Sequence, residues 1–276
     1  MLEIQGNINE LTTFGRLAVN AYLHHRYVGA ILSGAFGKGK SCSAMHMAYE
    51  ILHYLHPNKS EKEIWQMVLD NIVFGMDEVI EVTGVLKTVD WASLSPQEVI
   101  AKKAELRRPI VIWDDAGKHG SKYKHFLDMD AVFELQSNFD SIRDVVSCLI
   151  VTVPEKDELL KFLRNYRGNY QVEINIPRDG GEYHRILEFW RYEMDYRGRR
   201  NIVKKWTSKP FSMYIPREIY GEYERMKTIA SNVNYDRYEE KKQFHILKKQ
   251  YMMRKMKKEM EGEHVGKEEA EDGFLG

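Results

Sequence analysis

The residues with the clearest chemistry form one short loop. Gly34, Ala35, Phe36, Gly37, Lys38, Gly39, Lys40 and Ser41 fit the pattern G-x-x-x-x-G-K-[S/T] at every position. Glycines let main-chain N–H groups close around a polyphosphate, and a helix starting at the loop adds the partial positive charge of its N-terminus. In such a loop Lys40 meets the β- and γ-phosphates of a nucleoside triphosphate and Ser41 is a ligand for Mg²⁺. With Cys42, which follows Ser41 into the helix, residues 34–42 are the candidate binding residues for ATP. A second constellation is Asp114-Asp115, which ends the apolar run Pro109-Ile110-Val111-Ile112-Trp113. A carboxylate there is placed to hold Mg²⁺ through water opposite Ser41, the pattern of a Walker B strand. A strand-end turn with solvated carboxylates is the plainer reading of the same pair.

These residues need a scaffold, and the flanking sequence predicts one. Tyr27–Ser33 is an apolar run of strand length that leads into the loop, and Lys40–His56 reads as the helix after it, stopped by Pro57-Asn58. Asn71–Gly75, Pro109–Trp113 and Cys148–Val153 are further strand candidates. Helices are expected over 8–26, from the capping box Ser60/Glu63, from Ser95-Pro96 to Arg107, and over 129–145. Strands this uniformly apolar, separated by helices, indicate a parallel sheet covered on both faces. After Pro154 a helix from Glu155 to Tyr166 is expected. Strands at Tyr170–Ile176, Tyr183–Tyr192 and Ile202–Trp206 follow, the first two joined by a turn at Asp179-Gly180-Gly181. Long helix is expected over 216–260. The predicted fold is α/β, a P-loop NTPase three-layer sandwich with a mostly parallel sheet, a β-hairpin appendage and a charged C-terminal helix. Its expected parts are an N-terminal helix (1–26), an ATPase core (27–176), a basic hairpin appendage (177–215) and a charged helical tail (216–276).

The net charge of zero hides segregation. Residues 236–260 hold nine Lys/Arg against four Asp/Glu, and residues 261–276 hold one against six. Residues 183–205 hold seven Lys/Arg against three acids, interleaved with Phe189, Trp190, Tyr192 and Tyr196, a pattern suited to phosphate contact and base stacking. A solvated hairpin whose aromatics cover a core explains it equally well. The basic tail suits DNA phosphates or an acidic protein partner; it equally fits a solvated helix that pairs with its own acidic end. Neither Trp nor Phe occurs in Leu247–Lys258, which disfavours a membrane. No apolar span of membrane length and no signal-peptide pattern is visible, so a cytoplasmic location is expected. Cys42 and Cys148 lie in segments that read as core, and no histidine cluster has metal-ligand spacing.

Motif order separates subclasses. Asp114-Asp115-Ala116-Gly117 fits D-x-x-G, but Asn58-Lys59-Ser60-Glu61, the near match to N-K-x-D, precedes it, which disfavours a GTPase. Ala35 occupies the position where a ParA-like enzyme needs lysine, and no ABC signature follows the loop. Over residues 27–176 the chain resembles the additional-strand ATPases, and its G-x-x-G-x-G-K-S loop resembles that of AAA+ proteins. DnaA-like and helicase-loader ATPases, including those of archaeal viruses and plasmids, are the nearest in layout. This resemblance implies a sheet with the Thr152 strand between those of the P-loop and Asp114. It also implies that Asp115 orients the attacking water, from a position where the family usually carries the longer Glu. Thr152 would sense the γ-phosphate or its water, against a hydroxyl bonded locally to backbone. Arg164 or Arg167 would reach a neighbour's nucleotide in a homo-oligomer, against helix-end arginines that favour the macrodipole. Hairpins over 169–206, where AAA+ proteins carry a helical lid, depart from that pattern. The layout from Trp206 through Tyr223 is similar to zonula-occludens-toxin-like and FtsK/HerA-type ATPases. The implied work is on DNA, or alternatively assembly or packaging with a protein partner bound by the tail; a nucleotide kinase would leave Asp114-Asp115, Thr152 and the tail unexplained.

Overall fold

The computed structural model describes residues 8–116, 129–177, 184–194 and 200–232, and of 192–194 and 200–205 only the backbone. The turn at Asp179-Gly180-Gly181, Tyr183, Tyr196 and the tail beyond residue 232 lie outside the described residues. The chain divides into two compact units, Met1–Lys227 and Thr228–Gly276, and the fold described is that of the first.

Continuous apolar runs became the central strands because both faces of the sheet are covered. β1 (Val28–Ser33), β2 (Ile72–Val73), β3 (Val111–Trp113), β4 (Cys148–Val153) and β5 (Asn169–Asn175) run parallel in the order β2-β3-β4-β1-β5. β4 therefore lies between the P-loop strand and the Asp114 strand, as the additional-strand resemblance implied. One face is covered by α1 (Thr13–Leu23) and α2 (Lys40–Leu55), with α3 (Glu61–Asp70) against α2. On the other face Trp113, Leu149 and Val151 pack with Val79 of α4 (Met76–Gly84), with Leu135 and Phe139 of α6 (Met129–Asp140), and with Leu163 of α7 (Lys161–Asn165). This is the α/β three-layer P-loop NTPase architecture. The expected capping box forms at Ser60 and Glu63 ahead of α3, and Ser95 with Glu98 makes a second ahead of α5 (Pro96–Leu106). Each is worth about 1 kcal/mol to its helix.

The hairpin is joined to the core. β6 (His184–Met194) pairs antiparallel with β5, and β7 (Arg200–Thr207) with β6, so the sheet continues through both; β8 (Phe211–Ser212) pairs with the start of β6. Burial alternates along β6, with Arg185, Leu187 and Phe189 inward, the two-residue period of a strand. Phe189 is sandwiched between Phe14 of α1 and Trp206 of β7, at ring distances of 5.5 and 4.8 Å. Its aromatic surface is spent on the core, which corrects the expectation that it could stack a base. Trp190 faces the other way and is half-buried.

The single helix expected over Glu155–Tyr166 is broken. A 3-10 turn at Lys156–Glu158 is followed by an extended Leu159 and Leu160 before α7 begins. Leu159 and Leu160 are both buried, and adjacent residues of a regular helix face directions about 100° apart. Extending the backbone lets both side chains enter the core. Likewise the helix expected over 8–26 is a 3-10 turn at Ile8–Glu10 and then α1, capped by Thr12 and ended before His25, whose φ is +50°. A last helix, α8, covers 217–232. Among the described residues no helix is long and apolar enough to cross a membrane.

Candidate active site

The loop between β1 and α2 has the backbone its glycines allow. Gly37 and Gly39 have φ of +80° and +84°, where a side chain would be strained. Gly39 caps α2, and a Cβ on it would also have to push aside the thioether end of Met213. Lys40 lies along the inside of the loop, 8% exposed, and its ammonium donates to the carbonyls of Gly34 (2.8 Å) and Ala35 (3.1 Å). Two of its three donors are thus used, and one remains for a ligand. The same ammonium lies 5.3 Å from the ring centre of Phe36, which is 78% exposed at the loop tip. Burial lowers the Lys40 pKa, and the charges of Asp115 and Asp114 oppose that shift. The buried Arg185 of β6 donates from Nε to the Lys38 carbonyl at 3.0 Å, so the hairpin holds the far side of the loop.

Asp114 sits one residue beyond β3. The registers Trp113↔Val151 and Leu32↔Thr152 bring it level with Thr152 and close to the loop. It is 1% exposed, so each oxygen needs a partner, and each has one. Oδ1 accepts from the hydroxyls of Ser41 (2.8 Å) and Thr152 (2.5 Å), and Oδ2 accepts from the phenol of Tyr223 at 2.7 Å. Asp115 adopts φ +54°, a left-handed conformation that Asp tolerates better than most residues. Its N–H donates to the Thr152 hydroxyl at 2.9 Å. One hydroxyl therefore fixes both acids.

α8 supplies two groups that the sequence did not single out. Tyr223 is 2% exposed and packs between Phe74, just past β2, and Tyr220, with ring distances of 6.2 and 5.9 Å. Burial first, and then the negative Asp114, push its phenol pKa well above the usual value, so it is a neutral donor. Lys227 lies one turn on, with Nζ 3.3 Å from Asp115 Oδ2 and 3.7 Å from Asp114 Oδ2. Burial works against its charge, and Asp114 and Asp115 outweigh burial, so its pKa is raised. The i, i+4 spacing of Tyr223 and Lys227 was the signal for a shared face. Arg185 and Met213 were also missed, each more than a hundred residues from the loop it touches.

The remaining candidates fall differently. Thr152 gives its hydrogen to Asp114 and accepts from Asp115, so its hydroxyl serves the two acids. Arg164 is ion-paired with Asp157 in the loop after β4, and Arg167 is exposed. Cys42 is half-buried beside the site, where burial and then Asp114 raise its thiol pKa; Cys148 is fully buried in β4. Cys42 is thus not the core thiol expected from its segment. Ser41 and Asp114 offer hard oxygen donors, the set that Mg²⁺ takes alongside water and phosphate, so the chemistry of these residues fits that ion.

No protein-family model matches the chain. An uncharacterized protein of Sulfolobus spindle-shape virus 1, B-251, is 24% identical over 228 residues, covering 79% of this chain and 81% of that one. Among solved structures, the N-terminal domain of zonular occludens toxin from Neisseria meningitidis is 14% identical and covers 71% of this chain and 97% of that one, with a TM-score of 0.34. The flagellar accessory protein FlaH from Methanocaldococcus jannaschii is 13% identical and covers 64% of this chain and 89% of that one, with a TM-score of 0.30. These similarities carry no function across; what the chain itself presents is a P-loop NTPase sheet with its loop lysine and strand-end aspartate buried and its half-buried loop serine bonded to that aspartate.

Proposed function

We propose that the protein is a Mg²⁺-dependent ATPase whose hydrolysis drives work on DNA, as an initiator-like, helicase-loader-like or translocating homo-oligomer. The observation that carries the nucleotide part is the arrangement of Lys40, Ser41 and Asp114 around the loop. Lys40 keeps one donor for the β- and γ-phosphates, and Ser41 with Asp114 would hold the magnesium ion, which would neutralise charge on the transferring phosphoryl group. Asp115, turned by its left-handed backbone, is the carboxylate that orients the attacking water. Thr152 fixes the geometry of both acids. Arg164, once released from Asp157, or the exposed Arg167 is the group offered to a neighbouring copy's nucleotide.

The DNA part rests on charge: seven Lys/Arg among residues 183–205 and nine among residues 236–260. Phosphate release is to be measured with and without Mg²⁺, with single- and double-stranded DNA, across protein concentration. Magnesium-dependent turnover that DNA accelerates, with a rate per chain that rises with concentration, supports the whole reading. Turnover indifferent to DNA, with no mobility shift, removes DNA and moves the client to a protein bound by the tail. Phosphorylation of nucleosides or nucleoside monophosphates faster than water would make the protein a kinase instead.

A further inference from the structure

Asp114 has three of its hydrogen-bonding positions taken. A carboxylate accepts about four hydrogens. Here Oδ1 has Ser41 and Thr152, and Oδ2 has the Tyr223 phenol with the Lys227 ammonium 3.7 Å away. One acceptor position remains, on Oδ2, the oxygen that faces the Lys227 ammonium. Ser41, the other residue assigned to magnesium, is bonded to the same carboxylate, so α8 meets the pair through Asp114. Lys227 supplies a positive charge between two carboxylates, the electrostatic service that a divalent cation renders in a loaded site. This contact is built in rather than casual. Ile219 and Tyr223, four residues apart, are buried on one face of α8, Ile215 is buried just ahead of it, and Met213 rests against Gly39.

We propose that the face of α8 carrying Tyr223 and Lys227 is an intramolecular occupant of the metal subsite, an autoinhibitory contact that magnesium and triphosphate must displace. The inference rests on the nucleotide-binding reading above. Affinity for Mg²⁺-nucleotide is then reduced by the fraction of molecules in which α8 is released, and weakening the contact raises that fraction. The phenol–carboxylate bond is of the charge-assisted kind, so its loss is worth about ten-fold or more in the equilibrium.

The test is Mg²⁺–ATPγS binding to the full chain, read by equilibrium dialysis, for wild type, Tyr223→Phe with Lys227→Met, and Lys40→Ala. Hydrogen exchange over residues 217–227 of the wild type is followed in parallel. The contact predicts about ten-fold tighter binding by the double variant, and faster exchange over 217–227 in wild type when nucleotide saturates. Binding by wild type that the double variant leaves unchanged or weakens overturns the inference and spares the nucleotide reading. Slower exchange on saturation also overturns it, since α8 would then close over the nucleotide. Absence of binding in all three chains overturns the nucleotide reading and the inference together. A double variant that fails to fold leaves the decision to the wild-type exchange data.

Discussion

Thr152→Val separates positioning from mere packing, because valine keeps the shape of threonine and removes both hydrogen bonds of its hydroxyl. The bond to Asp114 is charge-assisted and fully buried, a class worth about 1.5–3 kcal/mol, and the bond from the Asp115 N–H adds about 1 kcal/mol. Against this, the extra methyl gains about 1 kcal/mol of apolar burial, and Asp114 keeps Ser41 and Tyr223 as donors. The net loss is about 2 kcal/mol, which lowers Tm by about 4–8 °C in a domain of this size. The same loss of constraint on Asp115 is worth about 30-fold in kcat if it falls on the transition state alone. KM is expected to hold, because Lys40 and Ser41 keep their partners, and Thr152→Ser should restore both Tm and kcat. The assays are a thermal melt and steady-state phosphate release. Wild-type kcat in a variant with lowered Tm would make the hydroxyl purely structural. An unchanged Tm would mean that the hydroxyl network is not formed in solution.

Other expectations follow from single contacts. Lys40→Ala should weaken nucleotide binding at least 100-fold by the same dialysis assay. Asp115→Asn should bind nucleotide normally and fail to hydrolyse it; retained turnover would move the water-orienting role elsewhere. Gly39→Ala should lower Tm by several degrees and weaken nucleotide binding, because an alanine at φ +84° costs about 1–2 kcal/mol and must also displace Met213. Glu50, bonded to Thr12 through its N–H and hydroxyl, has its pKa raised by burial, which outweighs those bonds. A carboxyl whose folded pKa lies above its unfolded value contributes stability at low pH that is lost as pH rises through the folded pKa. Glu50→Gln should therefore be more stable than wild type at pH 7, with the difference fading as the wild-type carboxyl protonates. A Tm difference independent of pH would refute that account.

The parts of the site that are contiguous in the chain were legible from residue types alone. The loop declares itself because four positions within eight residues are constrained, and Asp114 because it terminates an apolar run. The strand order came from resemblance, since periodicity says which segments are strands and not which are neighbours. Tyr223 escaped because its partner is 109 residues away and nothing in a charged helix distinguishes a buried tyrosine from a surface one. The hairpin misled for a different reason. Its inward face reads Arg185, Leu187, Phe189, and a buried arginine at the first slot breaks the apolar alternation that would have marked the face. Arg185 is tolerated inside because it bonds the carbonyls of Lys38 and His184.

That arginine also makes β6 a mechanical element. From Arg185 to Met194 the strand advances nine residues, about 30 Å at the rise of an extended chain. An extended strand is stiff along its own axis, and the register shift opposite Arg191 and Tyr192 puts the extra residue, Val203, in β7, leaving β6 continuous. One end of this rod grips the carbonyl of a P-loop residue, and the other stands at the far end of the sheet's last hairpin. A single uninterrupted strand therefore joins the P-loop backbone to the far end of the hairpin, with no loop between them.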